Sequence, residues 1–120
     1  MKPNRAKEET LTHDEVRRLL SYDAETGFLT WNQDKSQRVR QGDRAGSITK
    51  YGYRRIFLKG VGFFMAHRLA WFHTHGEWPE PFLNHLNGDK DDNRLENLEK
   101  CTRSQNLQHA WDTGLRRKAA

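Results

Sequence analysis

The run Leu83-Asn84-His85-Leu86-Asn87-Gly88-Asp89-Lys90-Asp91-Asp92-Asn93-Arg94-Leu95-Glu96-Asn97-Leu98 gathers one imidazole, four amides and three aspartates, and Asn106 follows shortly after. An imidazole with an ordinary pKa of about 6.5 can take a proton from water near neutral pH. Amide and carboxylate oxygens suit a hard divalent cation such as magnesium. Zinc would favour thiolates, and Cys101 is the only cysteine. The chemistry within reach is metal-assisted hydrolysis with His85 activating the water. Other constellations fall short. Asp89, Asp91 and Asp92 have the density of a calcium loop, but no Glu follows at the EF-hand distance, so a solvated loop is expected. His67, His73 and His75 flank Trp71, yet His67 and His75 would stand two helical turns apart with no cysteine pair to complete a zinc set.

These residues need elements to hold them. Phe82 to Leu86 reads as a strand and Asn97 to Cys101 as another, joined by the polar stretch Asn87 to Glu96. Thr102-Arg103-Ser104-Gln105 is a capping box that opens a helix over 103–113, closed by Gly114. The pattern is ββα. Asn84 and His85 are neighbours, so in a regular strand they point to opposite sides. They can serve one site only if the strand twists or ends there.

Upstream, residues 1–10 read as a flexible polar lead-in. Thr12-His13-Asp14-Glu15 forms a capping box, with Leu11 and Val16 as a hydrophobic staple, and predicts a helix over 13–20. Asp23 to Gly27 is turn chemistry before a strand from Phe28 to Trp31, and 32–44 is a basic loop. Ala45 to Met65 suggests a meander turning at Lys50-Tyr51-Gly52 and at Lys59 to Gly62. Ala66 to His75 reads as a helix burying Leu69, Ala70, Trp71 and Phe72, with Gly76 as its stop and Pro79 and Pro81 barring its return.

A chain of 120 residues with 34% hydrophobic and 31% charged residues is one domain with a modest core, of class α+β. Its parts are the lead-in (1–10), a packing unit (11–80), the ββα unit (81–114) and a basic tail (115–120). The net charge of +5 favours a polyanionic partner. The start is charged and lacks a secretory apolar run, no stretch is long enough to span a membrane, and a lone thiol fits a reducing cytoplasm.

The 83–98 run with Asn106 resembles the HNH endonuclease family, and more closely its phage-type members. Further matching words are Tyr22-Asp23 with Thr26-Gly27, Ala66-His67-Arg68-Leu69-Ala70-Trp71 and Gly76-Glu77-Trp78-Pro79, so the resemblance runs from about residue 19 to 114. It implies a ββα-metal nuclease that hydrolyses phosphodiesters in double-stranded DNA, leaving a 5′-phosphate and a 3′-hydroxyl, in the bacterial host cell of a phage. Carried over, His85 is the general base, Asn84 and Asn106 hold magnesium or manganese, and Asn97 is the middle residue that ties the loop to itself. Two positions depart from the pattern. Many relatives carry Asp where Asn84 stands, and several use His at the place of Asn106. A non-catalytic DNA-binding module derived from an HNH nuclease is the alternative. Arg38, Arg40, Arg54, Arg55, His67, Arg68, Lys90, Arg94 and Arg103 are the candidate DNA contacts, with His67 alternatively packing its helix. Many relatives continue into a further DNA-binding module. This sequence ends at Ala120, so specificity is expected to come from residues 1–80 or from a partner, or to be low, and a monomer is the default expectation.

Overall fold

Thr12 starts the helix that the capping box predicts. Its hydroxyl accepts from the Glu15 backbone N–H, and the Glu15 carboxylate accepts from the Thr12 backbone N–H, so two otherwise orphaned donors are satisfied. The computed structural model describes residues 5–79 and 82–101. In chain order these form α1 (Arg5–Thr10), α2 (His13–Leu19), β1 (Leu20–Asp23), β2 (Phe28–Trp31), β3 (Ser47–Ile48), β4 (Arg54–Leu58), β5 (Gly62–Met65), α3 (Ala66–His75), β6 (Phe82–His85), a 3₁₀ turn (Leu95–Asn97) and β7 (Leu98–Cys101). The architecture is α+β. The expected helix over 103–113, with Arg103 and Asn106, lies outside the described residues, as does the basic tail.

Three antiparallel sheets carry the chain: β1-β2, β3-β4-β5 and β6-β7. In β4-β5 the register pairs Ile56 with Phe64 and Phe57 with Phe63. Strand alternation then sends Ile56, Leu58 and Phe64 inward and Arg55, Phe57 and Phe63 outward. The inward side chains join Val16, Leu20, Leu29, Leu69 and Ala70 in one buried cluster. Each large aliphatic member contributes about 1.5–3 kcal/mol by leaving water. α3 lays Leu69, Ala70 and Phe72 on this core, Trp71 is half-buried, and Gly76 ends the helix in the left-handed conformation. The Trp78 ring stacks on Phe72 at 4.1 Å and on Phe64 at 5.7 Å, sealing the end of the core.

Two elements differ from the sequence expectation. Residues Arg5–Thr10 form α1 rather than a flexible lead-in. The cause is distant: Arg68 on α3 is buried and needs a carboxylate, which Glu8 supplies through bonds of 2.7 and 3.0 Å, while Pro79 O accepts from the same guanidinium. An unpaired guanidinium at that depth would cost several kcal/mol, so the pair holds α1 against α3. Leu20 also leaves the helix early. It opens β1, which pairs residue for residue with β2. No described helix is long and apolar enough to cross a membrane.

Candidate functional site

β6 ends at His85, and the chain turns away through Gly88. Asn84 and His85 are both buried, each about 5% exposed. β6 pairs antiparallel with β7, setting His85 opposite Leu98 and Asn84 opposite Glu99.

Asn97 closes the intervening loop. Its Oδ1 accepts from the Asn87 backbone N–H at 3.0 Å, and its Nδ2 donates to Asn87 Oδ1 at 3.0 Å and to Asp92 O at 2.8 Å. Leu86 N–H donates to Asn97 O across the same neck. One buried amide therefore fixes both ends of the 87–97 loop.

The loop carries a residue that sequence reasoning missed. His85 Nε2 donates to Asn93 Oδ1 at 2.8 Å, and Asn93 is 1% exposed. With the proton held on Nε2, Nδ1 carries the lone pair. Burial pushes the His85 pKa below its usual value, partly offset by the Asn93 bond and by Asp89, Asp92 and Asp91. The ring is neutral at physiological pH and able to accept a proton. Asn93 is itself braced from the first sheet. Tyr22 Oη donates to Asn93 O at 2.6 Å, and Leu95 N–H donates to Ala24 O at 3.3 Å. Burial raises the Tyr22 pKa, with Asp23 and Asp92 adding to it, so the phenol stays a donor. Gly27 abuts the same backbone: with φ at 78°, an added Cβ would lie 2.4 Å from Asn93 C and from Arg94 N. In the sequence Asn93 is one amide among several, and only the folded loop sets it apart.

His67 stands against His85, ring centroids 4.9 Å apart, and Tyr53 lies 5.6 Å from His67 and 6.2 Å from His85. His67 is buried, and burial first, then His85 and Arg68, push its pKa far down. It packs beside the catalytic candidate instead of facing solvent. His73 points elsewhere, with Nε2 at 2.9 Å from Leu20 O, and His75 lies on Trp71. The three histidines do not converge.

The basic candidates divide sharply. Arg68 is enclosed by Glu8. Arg54 bonds Asp91 and Gly46 O, and Arg44 joins it on Asp91 while covering the Phe28 ring. Arg94 chelates Asp92 and reaches Glu96. Lys90 Nζ donates to Tyr51 O and lies over the Tyr53 ring. Arg40 makes an exposed pair with Asp34. Arg54, Arg68 and Arg94, expected as DNA contacts, each make ion pairs within the chain, Arg68 at a buried position and Arg94 at a partly exposed one. Arg38 and Arg55 are exposed or nearly so, and no described carboxylate pairs with either. Arg103 lies outside the described residues.

No group of three or more His, Cys, Asp or Glu side chains gathers into a metal-binding cluster among the described residues. Asp91 and Asp92 are spent on arginines, and Arg94 holds the Asp92 carboxyl down at about 2. The Asn84 amide, next to His85 in sequence, is buried and no described side chain engages it; Asn106 lies outside the described residues. A neutral oxygen fits a magnesium-type ion, which keeps several waters and takes only one or two protein ligands beside substrate phosphates.

Residues 64–108 match the family model described as HNH endonuclease. A 33-residue stretch, 28% of this chain, is 64% identical to an uncharacterized HNH endonuclease of Acanthamoeba polyphaga mimivirus, of which it covers 8%. The fold is similar to that in a solved structure titled for DNA binding and cleavage by the HNH homing endonuclease I-HmuI, with a TM-score of 0.57 and 26% identity over 79% of this chain. The chain spans about half (53%) of that protein's length. His85, Asn93 and Asn97 all lie inside residues 64–108, the segment similar in sequence to the HNH endonuclease family, and the fold is similar to that of an HNH homing endonuclease.

Proposed function

We propose that the protein is a metal-dependent endonuclease that hydrolyses phosphodiester bonds in double-stranded DNA, with His85 as general base. The observation that supports this most is the held imidazole: neutral, at the end of β6, with Asn93 keeping the proton on Nε2. His85 Nδ1 takes a proton from a water, whose oxygen attacks phosphorus. The bond from phosphorus to the 3′ oxygen breaks, and that oxygen takes up a proton from solvent, leaving a 5′-phosphate and a 3′-hydroxyl. Asn93 orients the ring, and Asn97 holds the loop that carries Asn93. Asn84 and Asn106 would hold magnesium or manganese, which supplies charge neutralisation on the phosphate and the departing oxygen.

The test is nicking of supercoiled plasmid. Cleavage with magnesium or manganese and none in EDTA is expected. His85→Ala should lose about 10²- to 10⁴-fold in rate while binding DNA almost as the parent does. Full activity in chelator refutes the metal, and a folded His85→Ala that cuts at the parental rate refutes the base. One observation favours a second reading, a non-catalytic DNA-binding module: both ligand candidates are neutral amides. DNA binding with no nicking in any divalent metal would establish it.

A further inference from the structure

A planar peptide leaves each residue only φ and ψ, so the two planes that meet at a Cα fix where its side chain starts. At Asn93 both planes are held. Asn97 holds the one before it, its Nδ2 donating to Asp92 O at 2.8 Å. Tyr22 holds the one after it, its Oη donating to Asn93 O at 2.6 Å. Gly27 lies against that second plane, too close for any Cβ between them. The Asn93 amide so aimed meets His85 Nε2 at 2.8 Å.

Asn97 belongs to the same loop. Tyr22 does not: it comes from β1, 71 positions away and outside the segment similar to the family model. Its half-buried ring lies beside His73, centroids 6.1 Å apart, and the hydroxyl is the part that reaches the loop. A phenylalanine would fill the same space, so packing alone does not call for that hydroxyl. Without it the 93–94 peptide is free to rotate, and the Asn93 amide turns with it. A neutral imidazole has two tautomers, and the bond at one nitrogen selects between them. Only the Nε2–H form offers a lone pair at Nδ1 to the attacking water.

We propose that Tyr22 is a positioning residue for the reaction: its hydroxyl fixes the 93–94 peptide, so that Asn93 keeps His85 in the Nε2–H tautomer. The proposal deepens the nuclease reading, and its kinetic part rests on that reading. Nitrogen-15 NMR of histidine-labelled protein, in EDTA and mildly alkaline buffer, reads the tautomer without cleavage and from folded molecules alone. His85 should show one tautomer in the parent and a mixture in Tyr22→Phe. Ser21→Ala, which removes the Ser21 bond to Asn32 from the same strand, should keep the parental tautomer and rate. In plasmid nicking with magnesium, Tyr22→Phe should lower kcat about 10- to 100-fold, the range for groups that hold a working imidazole at one remove, with KM unchanged. In an Asn93→Ala background the same substitution should cost nothing further, because Tyr22 acts through Asn93. A parental tautomer in Tyr22→Phe, an additive loss in the double variant, or an equal shift in Ser21→Ala would overturn the proposal. A tautomer change in Tyr22→Phe, from a parent that nicks no DNA, would instead sink the nuclease reading and leave the hold on His85 standing.

Discussion

Gly27→Ala is the substitution that most directly tests how the first sheet supports His85. The left-handed φ of 78° costs an alanine about 1–2 kcal/mol. Its Cβ would stand 2.4 Å from Asn93 C and Arg94 N, roughly an ångström inside ordinary contact with backbone that no rotamer change can move. Overpacking of this kind adds about 1–3 kcal/mol. The sum, roughly 2–5 kcal/mol, is a large part of the 5–15 kcal/mol typical of a whole domain. The displaced backbone belongs to Asn93, which bonds Tyr22 Oη through its carbonyl and His85 through its side chain. Gly42→Ala is the control. Gly42 has a similar φ of 90°, but an added Cβ there meets nothing within 4 Å, so this variant isolates the conformational cost. Urea unfolding followed by tryptophan fluorescence should show Gly27→Ala destabilised beyond Gly42→Ala by about 1–3 kcal/mol, the overpacking component. Plasmid nicking, measured where both variants are fully folded, should fall for Gly27→Ala alone. Equal destabilisation, or a parental cutting rate in Gly27→Ala, would refute the claim that the 23–27 turn holds Asn93 against His85.

Asn97→Ala should lower the melting temperature together with activity, because it unpairs groups at both ends of the loop at about 1–3 kcal/mol each; an inactive variant with unchanged melting would assign Asn97 a direct catalytic part. Asp92 has its carboxyl pKa depressed to about 2, so its contribution to stability is present above the ordinary carboxylate pKa and is lost as pH falls from about 4 toward 2. Asp92→Asn should flatten the stability profile in that window, as read by chemical denaturation at several pH values, and a variant with the parental acid slope would contradict this. Asn84→Asp adds a negative charge to a neutral oxygen donor, and hard cations favour carboxylates. The metal concentration for half-maximal nicking should fall, more so with magnesium than with manganese. An unchanged or higher midpoint would remove Asn84 from the ligand set.

What the sequence disclosed was set by the range of the forces involved. Helix α3 and strand β2 follow from local rules, the first from an apolar stripe closed by Gly76, the second from Phe28 to Trp31 after turn chemistry. The capping box at Thr12 is likewise local, whereas the way Asn97 ties its loop was implied by the family resemblance and spans ten residues. α1 was hidden because its polar residues gain order only from Arg68, 60 positions from Glu8. β1 was hidden because Leu20 continues the apolar face of α2 and becomes a strand only by pairing with Trp31. Asn93 was hidden for the same reason, since its bond to His85 spans a folded loop and its brace, Tyr22, is 71 positions away.

The acidic loop shows why residue type alone misleads about charge. Asp89, Asp91 and Asp92 suggest a cation site by composition, and Arg44, Arg54 and Arg94 suggest DNA contacts by the same standard. In the fold two of the three aspartates are paired: Asp91 lies between Arg44 and Arg54 and Asp92 bonds Arg94, while exposed Asp89 accepts from the Asp91 backbone N–H. The consequence reaches the site. Bare carboxylates on the loop beside His85 would repel a phosphodiester and raise the pKa of the imidazole, making it a poorer source of neutral base. Paired with arginine, Asp91 and Asp92 shape the loop while exposing less net charge. That leaves His85 governed mainly by burial and by Asn93, and it leaves exposed Arg55, which no described carboxylate pairs, as a cation still available to a polyanion.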